Sequence, residues 1–305
     1  MFASVFALAA IVSSVSAPGP RGDLSGTLVD AGPKAPVVLI VPGSGPTDRD
    51  GNNPLGVTAA PYRLLAEGLV TKGVSTVRID KRGMFGSKAA IADANAVTID
   101  EYAEDVQSWV QAIREHQAVP CVWVLGHSEG GVIALVAAQR AEHVCGIILV
   151  ASPGRKIGDI LREQFRANPA NAPVLDDAML AISKLEKGER VDISAMHPAL
   201  QGLFAPAIQP FLINFMTKDP AKLAADVAKP VLIISGGRDL QITAADAEAL
   251  AAAQPKAKVV TIPSMNHVLK DVVTDDRAAN VGTYADPSVP VNAMLVEEIA
   301  RFVTS

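Results

Sequence analysis

This chain of 305 residues has little of what metal or disulfide scaffolds need: two cysteines and five histidines. Two cysteines exclude a disulfide-rich scaffold and a four-cysteine zinc site. No H-E-x-x-H spacing occurs, so a zinc protease is not supported. Lys and Arg number 27 against 32 Asp and Glu, a net charge of −5, and the basic residues form no run. That balance argues against a nucleic-acid partner, which needs a basic surface. No apolar run reaches the ~20 residues of a membrane helix, so no stable membrane insertion is expected. What is present is 49% hydrophobic and 19% charged residues. This excludes a disordered chain and supplies a sizeable core, as one large domain or one domain with an insert.

Residues Phe2 to Val15 are small and apolar, with no charge before Arg21, and Val15-Ser16-Ala17 resembles a signal-peptidase site. Residues 1–17 therefore read as a signal peptide, the alternative being a buried N-terminal helix. Residues 18–305 read as the main domain. The implied location is periplasmic or secreted, otherwise cytoplasmic. Cys121 and Cys145 open strands expected to be neighbours. A bridge between them is possible in an oxidising compartment, but two buried free thiols are the preferred reading.

Strand and helix patterns then alternate. Val37–Val41, Val74–Asp80, Cys121–Leu125, Gly146–Val150, Pro230–Ser235 and Val259–Ile262 are short apolar runs. Helical patterns follow at Pro61–Lys72, Gly131–Arg140, Ala244–Ala253 and Val291–Val303, and Thr98 with Glu101 forms a capping box ahead of Tyr102, Val106, Trp109, Val110 and Ile113. Continuously apolar strands separated by helices predict an α/β fold, a mostly parallel sheet covered on both faces. Between about residues 155 and 228 the alternation stops. Helix-prone segments broken by Pro198, Pro206 and Pro210 predict a helical cap, with Phe204, Phe211 and Phe215 as candidates to line a substrate pocket.

The chemistry concentrates at Gly126-His127-Ser128-Glu129-Gly130. This G-x-S-x-G follows a buried strand and opens a helix, the context a nucleophile elbow requires. A serine hydroxyl needs a base, and the base an orienting carboxylate. His267 follows the last expected strand and Asp239 ends the one before it. All three thus fall at the C-terminal edge of one parallel sheet, where such sheets hold ligands. The order Ser, Asp, His separates this arrangement from other serine-triad folds. His127 should point away from the site while shaping the elbow. His116 and His143 read as surface positions and His197 as a rival base in the cap. Asp226, Asp246 and Asp271 read as solvated rivals to Asp239. Backbone N–H groups of Glu129 and Ser44, with Gly45 as the alternative to Ser44, are the expected oxyanion donors. In the polar stretch 47–52, Asp48, Arg49 and Asp50 are expected to pair internally rather than place Arg49 on substrate, with Arg82 as a candidate to join them.

Pro42-Gly43-Ser44-Gly45, Asp80-Lys81-Arg82-Gly83, Gly126-His127-Ser128-Glu129-Gly130-Gly131, Gly236-Gly237-Arg238-Asp239 and Asn266-His267 together resemble an α/β-hydrolase. The branch it is most similar to is the bacterial serine esterases with a G-S-G-P-x-D-R-D-G-N oxyanion loop and a helical cap. The likeness runs from about Gly26 to Phe302. It implies an antiparallel start to the sheet, with Leu24–Val29 as that strand. It also implies short-chain acyl esters as small-molecule substrates and no cofactor. Pro42 stands where many members carry histidine. Thioesterase, lactonase, peptidase or acyltransferase chemistry could use the same three residues, and a silent binding protein or an envelope-associated interaction protein are readings of other classes.

Overall fold

A computed structural model describes residues 11–140 and 142–305. Its centre is an eight-stranded sheet. The strands are β1 (Ile11–Ala17), β2 (Leu24–Asp30), β3 (Val37–Val41), β4 (Ser75–Ile79), β5 (Val122–His127), β6 (Val144–Val150), β7 (Val231–Gly236) and β8 (Lys258–Ile262), in the spatial order β1-β2-β4-β3-β5-β6-β7-β8. β1 and β2 run antiparallel, as do β2 and β4. All pairings from β4 through β3 to β8 are parallel. The reason lies in the side chains: β3, for example, is Val-Val-Leu-Ile-Val and every residue is buried, which only a sheet covered on both faces accommodates.

Helices α1 (Pro61–Val70), α2 (Ile99–Gln117) and α3 (Glu129–Ala138) link the early strands. Thr98 caps α2 by accepting from the Glu101 N–H. α2 buries Tyr102, Val106, Trp109, Val110 and Ile113 against one face of the sheet. Helices α4 (Ile157–Ala167), α5 (Leu175–Leu185), α6 (Pro198–Gln201), α7 (Gln209–Met216) and α8 (Pro220–Ala225) follow β6. Most of them share a small core of their own around Ile182, Leu185, Leu200, Phe204 and Leu212. After α9 (Ala244–Ala253) and β8, a long arm carries α10 (Arg277–Gly282). α11 (Ala293–Thr304) then packs with α1 on the other face of the sheet.

One expectation meets a different outcome and another falls partly outside the described residues. Residues 1–10 of the expected leader lie there. Val15-Ser16-Ala17, however, forms part of β1, paired with Gly26, Ser25 and Leu24, and Ala17 is buried. Small and β-branched residues in this segment fit an edge strand as well as a leader. The cysteines are not free thiols: Cys121 and Cys145 form a disulfide with Cα atoms 5.2 Å apart. Their strands are direct neighbours, so the starts of β5 and β6 come within bridging distance. The loop it closes spans 24 residues, worth about 3 kcal/mol in the chain-entropy picture.

Candidate functional site

Parallel strands bring the loops after β3, β4, β5, β7 and β8 to one edge of the sheet, and each carries part of the site. Ser128 sits alone between β5 and α3 at φ 53°, ψ −125°, a conformation a non-glycine residue adopts only under constraint. The turn closes because its neighbours lack side chains. A Cβ on Gly126 would lie 2.1 Å from the Gly130 carbonyl oxygen, and one on Gly130 would lie 2.3 Å from that of Val41. The Ser128 N–H donates to Val150 of β6, which anchors the elbow to the sheet.

Asp239 and His267 meet on neighbouring loops. His267 Nδ1–H donates to Asp239 Oδ2 at 2.8 Å. The Asp239 carboxylate is fully buried, and its other oxygen accepts from the N–H groups of Gln241 and Ile242 at 2.7 and 3.0 Å. With Nδ1 so engaged, Nε2 is the ring atom left to act as a base. Among the described residues no hydrogen bond joins the Ser128 hydroxyl to that ring, and free hydrolases commonly hold this contact long until substrate arrives. Asn266 ties the two loops together: its Nδ2 donates to Asn280 Oδ1 at 3.0 Å, and Asn280 Nδ2 donates to the carbonyl of Arg238 at 2.7 Å.

His127 does turn away from Ser128, and it has a task of its own. Its Nε2 lies 2.9 Å from the backbone carbonyl of His267, so this nitrogen carries the proton. Nδ1 therefore accepts from the Tyr62 hydroxyl at 2.8 Å, and Tyr62 in turn accepts from the Gly43 N–H at 3.0 Å. A buried relay thus runs from Gly43, in the loop after β3, to the backbone of His267. Burial pushes the His127 imidazole down to about 3, with the adjacent His267 ring adding to the drop. An unfolded histidine titrates near about 6.5. Between those two values the unfolded chain holds a proton that the folded chain refuses, so stability present above pH 6.5 is lost as pH falls toward 3. Urea midpoints are expected to fall through that window, with a shallower slope for His127→Gln. Equal slopes would show that His127 does not govern acid stability.

The loop after β3 packs directly on the elbow: a Cβ on Gly43 would lie 3.2 Å from Ser128 Cβ. Ser44 is exposed at its tip. The polar residues behind it are structural, but the partners of Arg49 and Asp50 lie outside the loop. Arg49 donates to Asp80 through its backbone N–H at 2.9 Å and Nε at 3.0 Å, and Asp50 pairs with Arg78. Asp48 accepts from the N–H groups of Asp50 and Asn52. Arg82 belongs to a separate pair, gripping Asp105 at 2.8 and 2.7 Å. Local pairing was the expectation; opposite charges on β4 and its following loop lie closer in space than those adjacent in sequence.

The rivals fall away by position. His116 and His197 are exposed, and His197 caps α6. Asp226 and Asp271 are exposed, but Asp246 is not the solvated charge expected. It is fully buried and accepts from Arg155 and from the N–H groups of Gly154 and Arg155, holding the start of the helical insertion. The three phenylalanines also differ from one another. Phe204 is sealed in the insertion's own core, and Phe215 is buried at its seam with the main domain. Phe211 alone is only partly buried, edge-on to Tyr102 at 6.3 Å between ring centroids. Tyr62 and Lys81 were missed as site residues. Lys81 stands in the quoted Asp80-Lys81-Arg82-Gly83, and a lysine closing an apolar strand is the signal it offered.

Comparison with known proteins follows from this geometry. A family model described as serine aminopeptidase, S33, matches residues 55–271, more than two thirds of the chain. The chain belongs to this family of α/β-hydrolases. Esterase EstD of Thermotoga maritima is 27% identical over 277 residues, which is 88% of this chain and 62% of that protein. This member thus spans less than two thirds of that relative's length. Among solved structures, the Pyrococcus furiosus esterase Pf2001 is similar with a TM-score of 0.61 and 16% identity, covering 97% of this chain and 91% of that one. A Mycobacterium smegmatis proline iminopeptidase gives 0.58 and 14%, covering 96% and 98%. An esterase and a peptidase resemble the family member almost equally, so the shared fold does not select the substrate.

Proposed function

We propose that this S33-family chain hydrolyses small carboxylic esters with short acyl groups through an acyl-enzyme on Ser128. The observation that carries the reading is the buried Asp239–His267 hydrogen bond at the sheet edge that also bears the strained serine. His267 Nε2 takes the Ser128 proton as Oγ attacks the ester carbonyl. Asp239 holds the imidazole tautomer and stabilises the imidazolium. Backbone N–H groups of Glu129 and Ser44 receive the oxyanion. His267 then protonates the departing alcohol, and a water deprotonated by the same ring releases the acid. Phe211, half-buried against Tyr102, is the insertion residue assigned to the acyl group in this reading.

Aminopeptidase chemistry would need a free carboxylate for the substrate's α-ammonium. Glu129, the acid beside the nucleophile, is buried and committed to Lys81 at 2.9 Å. That favours esters. Export to an oxidising compartment is part of the proposal, supported by the disulfide. The test is a panel of p-nitrophenyl acetate, butyrate and octanoate, an acyl thioester and aminoacyl p-nitroanilides. The short esters are expected to give the highest kcat/KM. A clear preference for the aminoacyl anilides would overturn the ester assignment.

A further inference from the structure

The Lys81 ammonium is almost fully buried at the end of β4, and it makes two contacts that meet at the oxyanion hole. Nζ donates to the Gly43 carbonyl at 2.7 Å and to Glu129 Oε1 at 2.9 Å. It also lies 5.1 Å from the centroid of the Tyr102 ring, which walls it from solvent. Each contact bears on one of the two proposed oxyanion donors. The Gly43 carbonyl and the Ser44 N–H belong to the same peptide unit, and that unit is trans. In a trans peptide the C=O and N–H point in opposite directions. Drawing the carbonyl inward to Lys81 therefore turns the Ser44 N–H away from Lys81, on a loop that packs against Ser128. Glu129 supplies the other donor through its backbone, and its side chain is the counter-ion of the same ammonium.

From this geometry we propose that Lys81 is a positioning residue for the oxyanion hole. It sets the orientation of the Gly43–Ser44 peptide, polarises that amide from its carbonyl end, and locks both donors to one buried charge. The inference rests on the serine-hydrolase reading above. A cation at the negative end of a peptide dipole makes its N–H a stronger donor, and no reorganisation is left for the moment when negative charge develops. The Gly43 N–H is held on its other side by Tyr62, so both peptide units flanking Gly43 have fixed directions.

The test uses Lys81→Met/Glu129→Gln, in which no buried charge is stranded, beside Lys81→Arg. The probes are p-nitrophenyl acetate turnover and a trifluoromethyl ketone. Ser128 adds to the ketone, and the resulting hemiketal oxyanion occupies the hole. The neutral pair is expected to lose roughly 30- to 100-fold in kcat and the same factor in ketone affinity, with KM nearly unchanged. Lys81→Arg, which keeps a cationic donor, is expected to recover at least about tenfold of that. Near wild-type kcat and ketone affinity in the folded neutral pair would overturn the proposal. If that pair does not fold, Lys81→Arg is compared with Lys81→Gln, and equal kcat and ketone affinity would overturn it instead. Wild-type protein that neither cleaves the ester nor reacts with a fluorophosphonate would sink the hydrolase reading itself, whatever the Lys81 variants do.

Discussion

Ser128→Ala is expected to cut kcat on p-nitrophenyl acetate by a factor on the order of 10⁴ to 10⁶ and to abolish labelling by a fluorophosphonate. Turnover in this reading passes through a covalent ester on Oγ, so without that oxygen His267 has nothing to activate but water. The background left would come from the oxyanion donors and from binding alone. The substitution is structurally benign. It removes no hydrogen bond that holds the elbow, because the anchoring contact to Val150 is made by the backbone N–H. It does leave φ at 53°, so the constraint on the turn stays and thermal stability should change little. A Ser128→Ala protein that keeps most of its esterase activity would place the nucleophile elsewhere.

Asp239→Asn carries the second large effect, roughly 10⁴-fold in kcat. Its cause can be read from the hydrogen bonds around the carboxylate. One oxygen is claimed by the N–H groups of Gln241 and Ile242, so an asparagine must present its carbonyl there. Its NH₂ group then faces His267 Nδ1. The ring can satisfy that donor only by moving its own proton to Nε2, the nitrogen required to receive the serine proton. The side chain remains hydrogen-bonded throughout, so the midpoint of thermal unfolding should stay close to wild type while turnover and fluorophosphonate labelling both slow. Measuring kcat and the melting temperature on one preparation separates a reversed tautomer from misfolding. Activity within tenfold of wild type would remove Asp239 from the mechanism.

Much of this was legible before any coordinates. Uninterrupted apolar strands can be buried only on both faces, so Val37–Val41 and its counterparts announced a parallel sheet. The glycines around Ser128 announced a turn in which backbone passes backbone. Both are local properties, set by the residues themselves and by their immediate neighbours. The places of Asp239 and His267 could be inferred because the C-terminal ends of parallel strands share one edge.

The relations that were not legible depend on which distant atoms come within 3 Å of one another. The small and β-branched residues of 12–17 suit an exported leader and an edge strand equally, and pairing with β2 places Ile11–Ala17 in the sheet. Arg49 could have reached substrate or a neighbouring acid; Asp80 takes it because β4 lies beside β3. Asp246 reads as a surface charge until Arg155 covers it.

In the end, the amino-acid order by itself determined the layered α/β architecture, the elbow and the chemical kinds of the three side chains proposed to react. These follow from hydrophobic period, glycine sterics and strand polarity. Tertiary structure alone decided that the cysteines join, that His127 and Tyr62 connect the loop at Gly43 to the backbone of His267, and that Lys81 bridges the Gly43 carbonyl and Glu129. Hydrogen bonds and ion pairs act over a few ångströms, and no pattern along the chain records which of its far-separated groups the fold will bring that close.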